Sequence, residues 1–125
     1  MANVVKKRVL VVEDDAAVRQ VITHSLEDAG YEVTEAEHAL AAICAMARAG
    51  VDLVLVDVGM PIVDGFMLVR EMKAHSDTRH VPVVVVTGMD TPERRAEAKE
   101  AGCVGFIGKP IDMKQFPKQI AQFLC

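Results

Sequence analysis

The chain has 125 residues, 51% of them hydrophobic and 26% charged, with a formal net charge of −4. That length supports one domain with a core of its own and leaves no room for a second module, and the acidic balance argues against a nucleic-acid-binding face, which needs clustered basic residues. No apolar run approaches the roughly 18 residues of a membrane span, and the basic N-terminal stretch leads only to Val9–Val12 before acids begin, which is no signal peptide.

Short β-branched runs alternate with helical patterns from end to end. Strands are predicted at 8–12, 31–36, 51–57, 82–87 and 104–107. Residues 9–12, 53–56 and 83–86 are apolar without alternation, as expected of strands buried on both faces of a parallel sheet. Between the first two strands Val18, Val21, Ile22 and Leu26 recur at helical spacing and stop at Gly30. Leu40, Ile43, Cys44 and Ala47 do the same and stop at Gly50, and both glycines sit where a left-handed helix terminus is expected. A third helix over 65–75 carries Leu68, Val69 and Met72 on one face. A fourth opens at Thr91-Pro92-Glu93, with an N-cap and a proline at the first helical position, and ends at Gly102. A last helix lies near 113–124, with regular structure delayed to about Lys114–Phe116 by Pro117. Five βα units with short loops imply a three-layer α/β fold.

In such a sheet the carboxyl ends of the strands open onto one crevice. Glu13 and Asp14 follow the first strand, Asp57 ends the third, Thr87 ends the fourth and Lys109 follows the fifth. Three carboxylates crowded together do not all ionise readily near neutral pH without a cation, and an all-oxygen set suits a hard ion such as Mg²⁺. A lysine and a threonine hydroxyl are what a phosphoryl group needs on its other side. Asp15 is explained as the N-cap of the helix at "AAVRQ". Cys44, Cys103 and Cys125 are odd in number and lack C-x-x-C spacing, so they suggest neither a disulfide framework nor a zinc site, and a reducing cytoplasm is the simplest setting. His24, His38, His75 and His80 show no ligand spacing and read as surface or loop residues. Arg94, Arg95, Glu97, Lys99 and Glu100 read as a solvated helix face.

The acidic pair in "VVEDD", the aspartate in "LVLVDVGMPIVDG", the hydroxyl in "VVVVTG" and the lysine-proline in "GFIGKP" stand in the order and spacing of response regulator receiver domains. The chain resembles that family, with a likeness to chemotaxis regulators, over essentially its whole length. The resemblance implies a flavodoxin-like (βα)5 sandwich with a parallel sheet of order 2-1-3-4-5, and a single receiver domain over 1–125 without an output domain. It implies Asp57 as the phosphoacceptor, with Thr87 and Lys109 assisting. Asp14, Asp57 and the backbone carbonyl of Gly59 would bind Mg²⁺, with Glu13 acting through water. Thr87 and Phe106 would form the switch, and the Lys109-Pro110 bond would be cis.

The same resemblance implies a cytoplasmic protein of a two-component phosphorelay, with no membrane insertion and no direct nucleic-acid contact. Its phosphodonor would be a histidine kinase or histidine phosphotransfer protein. A downstream protein target would bind the face of the fourth helix, fifth strand and fifth helix, to a monomer or a phosphorylation-linked dimer. Self-phosphotransfer and autodephosphorylation would be its only chemistry. Two other classes compete: a receiver-like scaffold that needs no phosphate, and a Mg²⁺-dependent phosphohydrolase with an aspartate nucleophile. The intact set of acids, Thr87 and Lys109 argues against the first. Gly59, where the second wants an acid, argues against it. "GCVGFIGKP" also fails as a phosphate-binding loop, because Cys103 and Pro110 occupy required glycine and Ser/Thr positions. Gly59 and Met89 depart from the family's usual residues beside the phosphoryl site, so the timing of phosphate gain and loss does not transfer from relatives.

Overall fold

The structure is a computed structural model that describes residues 6–58 and 65–124. In chain order it contains β1 (Arg8–Val12), α1 (Ala16–Asp28), β2 (Glu32–Ala36), α2 (Ala39–Arg48), β3 (Leu53–Val56), α3 (Gly65–Ala74), β4 (Val83–Thr87), α4 (Pro92–Ala101), β5 (Gly105–Gly108) and α5 (Phe116–Phe123). All strand pairs are parallel and the sheet order is β2-β1-β3-β4-β5, the flavodoxin-like arrangement.

The valine-rich strands alternate their side chains between two cores. Leu10, Val12, Val54, Val56, Val83 and Val85 face Phe66, Leu68, Val69 and Met72 of α3, with Ala39 and Ala42 of α2 and Ala98 of α4. Val9, Val11, Leu53, Leu55, Val84 and Val86 face Ile22 and Leu26 of α1 and Phe116 and Ile120 of α5. Because both faces are covered, the strands need no polar alternation.

Strand ends are trimmed for identifiable reasons. Gly30 (φ 96°) closes α1: its N–H donates to Glu27 O and the Tyr31 N–H to Leu26 O. That Schellman pairing commits Tyr31 to the helix end, and β2 starts at Glu32. Gly102 (φ 100°) closes α4 in the same way, through Lys99 O and Ala98 O. Gly50 does not: among the described residues only Gly30 and Gly102 have positive φ, and α2 ends at Ala49 in extended backbone.

Two predicted helix faces are corrected. Val21 is 53% exposed although its neighbours Ile22 and Leu26 are buried. In α2 the buried residues are Ala39 and Ala42, while Leu40, Ile43, Cys44 and Ala47 point outward. Small alanines take the buried positions of this helix, with Met46 packed partly against the core, and Leu40 and Ile43 are left on the outer side. No helix among the described residues is long and apolar enough to cross a membrane.

Candidate functional site

The first acids are set by continuation of the ladder past β1. The Glu13 N–H donates to Ala36 O at 3.0 Å, and the Asp57 N–H donates to Val12 O at 3.0 Å, which fixes the ends of β1 and β3 side by side. Asp15 then caps α1, its Oδ1 accepting from the N–H groups of Ala17 (2.9 Å) and Val18 (3.2 Å). Arg19, one turn into α1, donates from Nη1 to Glu13 O at 2.7 Å and from Nε to Glu35 at 3.2 Å, clasping the loop that carries the acids. Nothing in the sequence marks Arg19 for that role, since the contact depends on how α1 leaves the strand.

One carboxylate oxygen from each of Glu13, Asp14 and Asp57 lies within 4.8 Å of the others. Glu13 is buried, Asp57 partly buried and Asp14 exposed. Lys109 reaches between two of them, its Nζ donating to Glu13 Oε1 and, at 3.2 Å, to Asp57 Oδ2. The bond to Glu13 goes beyond the expected pairing with Asp57. Burial pushes the Glu13 carboxyl up to about 7, against the lowering effect of Lys109. Burial works against the charge of Lys109, but hydrogen bonds and charge from Glu13 and Asp57 prevail and raise its pKa. Three carboxylates facing one ammonium leave an excess of negative charge on hard oxygen donors, and that set fits a divalent oxygen-seeking cation.

Thr87 is buried at the end of β4, its hydroxyl accepting the Met89 N–H at 3.2 Å. The Lys109 N–H donates to Thr87 O at 2.8 Å, which seats Lys109 beside it, and the Lys109-Pro110 bond is cis. Phe106 is half-buried on β5. The Cζ of Arg95 stands 4.7 Å from its ring centroid, and Arg95 is paired with Asp90 at 2.6 Å, so Arg95 is more than part of a solvated face. Gly59 lies outside the described residues. The four histidines are exposed, and His38 caps α2, its Nδ1 accepting the Ala41 N–H at the start of that helix.

Gly65, the first residue of α3, carries a constraint that its place at a helix start does not reveal. A Cβ there would stand 2.8 Å from Asp57 O and 2.9 Å from Val58 Cα, so the start of α3 lies directly against the backbone that follows β3.

Residues 9–121 match the family model described as the response regulator receiver domain. Among curated proteins, the chain is 39% identical over 105 residues to the response regulator PleD of Caulobacter vibrioides, covering 84% of this chain and 23% of that protein. It is 33% identical over 114 residues to the phosphate regulon transcriptional regulatory protein PhoB of Escherichia coli, covering 91% of this chain and 50% of that protein. It thus spans about a quarter to a half of those relatives. The solved chemotaxis protein CheY4 of Vibrio cholerae superposes with a TM-score of 0.91 at 32% identity, over 96% of this chain and 100% of that one. With the acids of two adjacent strand ends gathered beside a lysine on this sheet, and that match over nearly its whole length, the chain belongs to the response regulator receiver domain family.

Proposed function

We propose that this chain accepts a phosphoryl group on Asp57 from a phosphohistidine of a histidine kinase or phosphotransfer protein, with Mg²⁺ in the acidic site. The observation that carries this reading is the grouping of Glu13, Asp14 and Asp57 with Lys109 bridging two of them. In the transfer, Asp57 forms a P–O bond as the P–N bond to the donor imidazole breaks; the imidazole nitrogen keeps the electron pair and takes up a proton. Asp14, Asp57 and the Gly59 carbonyl would hold the ion, with Glu13 acting through water. Bound there, Mg²⁺ supplies the positive charge that lets a carboxylate approach an anionic phosphoryl group. Lys109, already 3.2 Å from Asp57 Oδ2, is placed to pair with a phosphoryl oxygen.

The acyl phosphate presents strong acceptors to Thr87, at the end of the neighbouring strand. Movement there reaches Phe106 and alters the face of α4, β5 and α5 for a downstream protein. The chain itself acts as a signalling module without direct nucleic-acid contact, as a monomer or a phosphorylation-linked dimer.

A protein donor has a surface to rest on. Ala17, Val18, Val21, Pro110, Ile111 and Met113 line an apolar cleft of about 600 Å³ that also reaches Lys109. The exposed Val21 belongs to this surface, which includes Lys109, rather than to the core.

Incubation with a small acyl or amido phosphate and Mg²⁺, followed by intact-mass measurement and assay of free phosphate, tests the reading. A stoichiometric gain of one phosphoryl group is expected. No gain would favour a phosphate-independent scaffold, and sustained release without a stable adduct would favour a phosphohydrolase.

A further inference from the structure

Beyond Thr87, the chain makes a connected set of contacts. The Thr87 hydroxyl accepts the Met89 N–H, and the next residue, Asp90, accepts from Arg95 Nε at 2.6 Å on Oδ1 and from Nη2 at 2.8 Å on Oδ2. This two-point fork fixes the guanidinium plane, and the Arg95 Cζ lies 4.7 Å from the Phe106 ring centroid, within cation–π range. Asp90 also lies over β5: its Oδ2 is 3.1 Å from where a Cβ on Gly108 would sit. One guanidinium therefore joins the loop after Thr87, the first turns of α4 and the aromatic ring of β5.

The register pairs Val56 with Val85, so Asp57 and Thr87 lie at the carboxyl ends of adjacent strands. A hydroxyl drawn toward new acceptor oxygens on Asp57 either carries the Met89 N–H with it or lets it go. In both cases the 88–90 loop shifts against β5, and Asp90 is the anchor of Arg95.

We propose that Arg95 is a positioning residue of the switch: forked to Asp90 and stacked on Phe106, it holds the resting arrangement, and a phosphoryl group on Asp57 must release that stack. The proposal rests on the phosphoacceptor reading. By population shift, whatever stabilises the resting form opposes phosphoryl binding by the same factor. An exposed ion pair and an exposed cation–π contact are each modest, so the factor is about two- to fivefold.

The test is a titration of the chain with beryllofluoride, a mimic of the acyl phosphate, at saturating Mg²⁺, followed by calorimetry and by the Gly108 amide shift. Arg95→Ala and Asp90→Asn should each lower the half-saturating concentration about two- to fivefold. The double variant should do no more than the larger single one, and urea midpoints should barely change. In a Phe106→Leu background, Arg95→Ala should have no further effect. An unchanged or higher midpoint in Arg95→Ala, or an undiminished effect without Phe106, would overturn the proposal while leaving the acceptor site standing. Failure of the unsubstituted chain to bind the mimic would remove the acceptor reading and this proposal together.

Discussion

Glu13 shows how one residue sets both a stability profile and a ligand preference. Its side chain is nearly inaccessible, and burial holds its carboxyl near 7 against an ordinary 4.5, despite the ammonium of Lys109. Between those values the folded chain retains a proton that the unfolded chain has lost. Stability therefore falls as pH rises from about 5 to about 8, by of order 1–3 kcal/mol. Urea unfolding with a chelator at the two ends of that range should show the loss, and Glu13→Gln should flatten it. A stability that instead rises over this range would mean that Lys109 outweighs burial. Added Mg²⁺ favours the ionised carboxylates, so it should stabilise more at pH 8 than at pH 6.

At the scale of elements, tight approaches decide where the site residues stand. Gly65→Ala drives a methyl into the backbone of Asp57 and Val58, which cannot yield without moving the Asp57 side chain. We expect a cost of about 2–3 kcal/mol together with slower labelling of Asp57. Gly105→Ala meets the far end of the Phe123 ring, and that partly exposed ring on α5 can swing aside. About 1 kcal/mol is expected there, with labelling kept. Urea midpoints in the reverse order would show that the start of α3 yields more easily than α5. Val21 on α1 offers a third check. Val21→Asp should slow transfer from a phosphohistidine protein at least severalfold while leaving labelling by a small phosphodonor unchanged, and equal slowing of both would place Val21 in the fold rather than in docking.

What the sequence discloses differs by element. The strands are plain in their valine runs, and Asp15, Thr91, Gly30 and Gly102 mark helix ends because each supplies a cap that the backbone requires. The orientation of α2 is not legible, because hydrophobicity says which residues prefer burial but not which face a helix turns to the sheet. Two alanines take the buried positions, and Leu40 and Ile43 are left on the outer side. Glu13, Asp14, Asp57, Thr87 and Lys109 are readable as a site because each follows or ends a strand in a fold whose strand ends converge. Arg19, Gly65 and the Asp90–Arg95–Phe106 contacts are not, since they depend on the paths of loops and the rotation of helices.

For the whole molecule, two cores clamp the sheet on both faces and leave its carboxyl edge for chemistry. Charge repulsion, burial and one lysine are balanced on that edge, where Glu13, Asp14 and Asp57 gather and Lys109 bridges two of them. Chemical trapping reads out directly whether a phosphoryl group resides on Asp57. After treatment with a small phosphodonor and Mg²⁺, borohydride reduction converts an aspartyl phosphate to homoserine, which peptide mass mapping locates. The expected result is homoserine at position 57 alone, with no adduct in Asp57→Asn and none in the presence of a chelator. Homoserine at another aspartate, or equal labelling of Asp57→Asn, would contradict it.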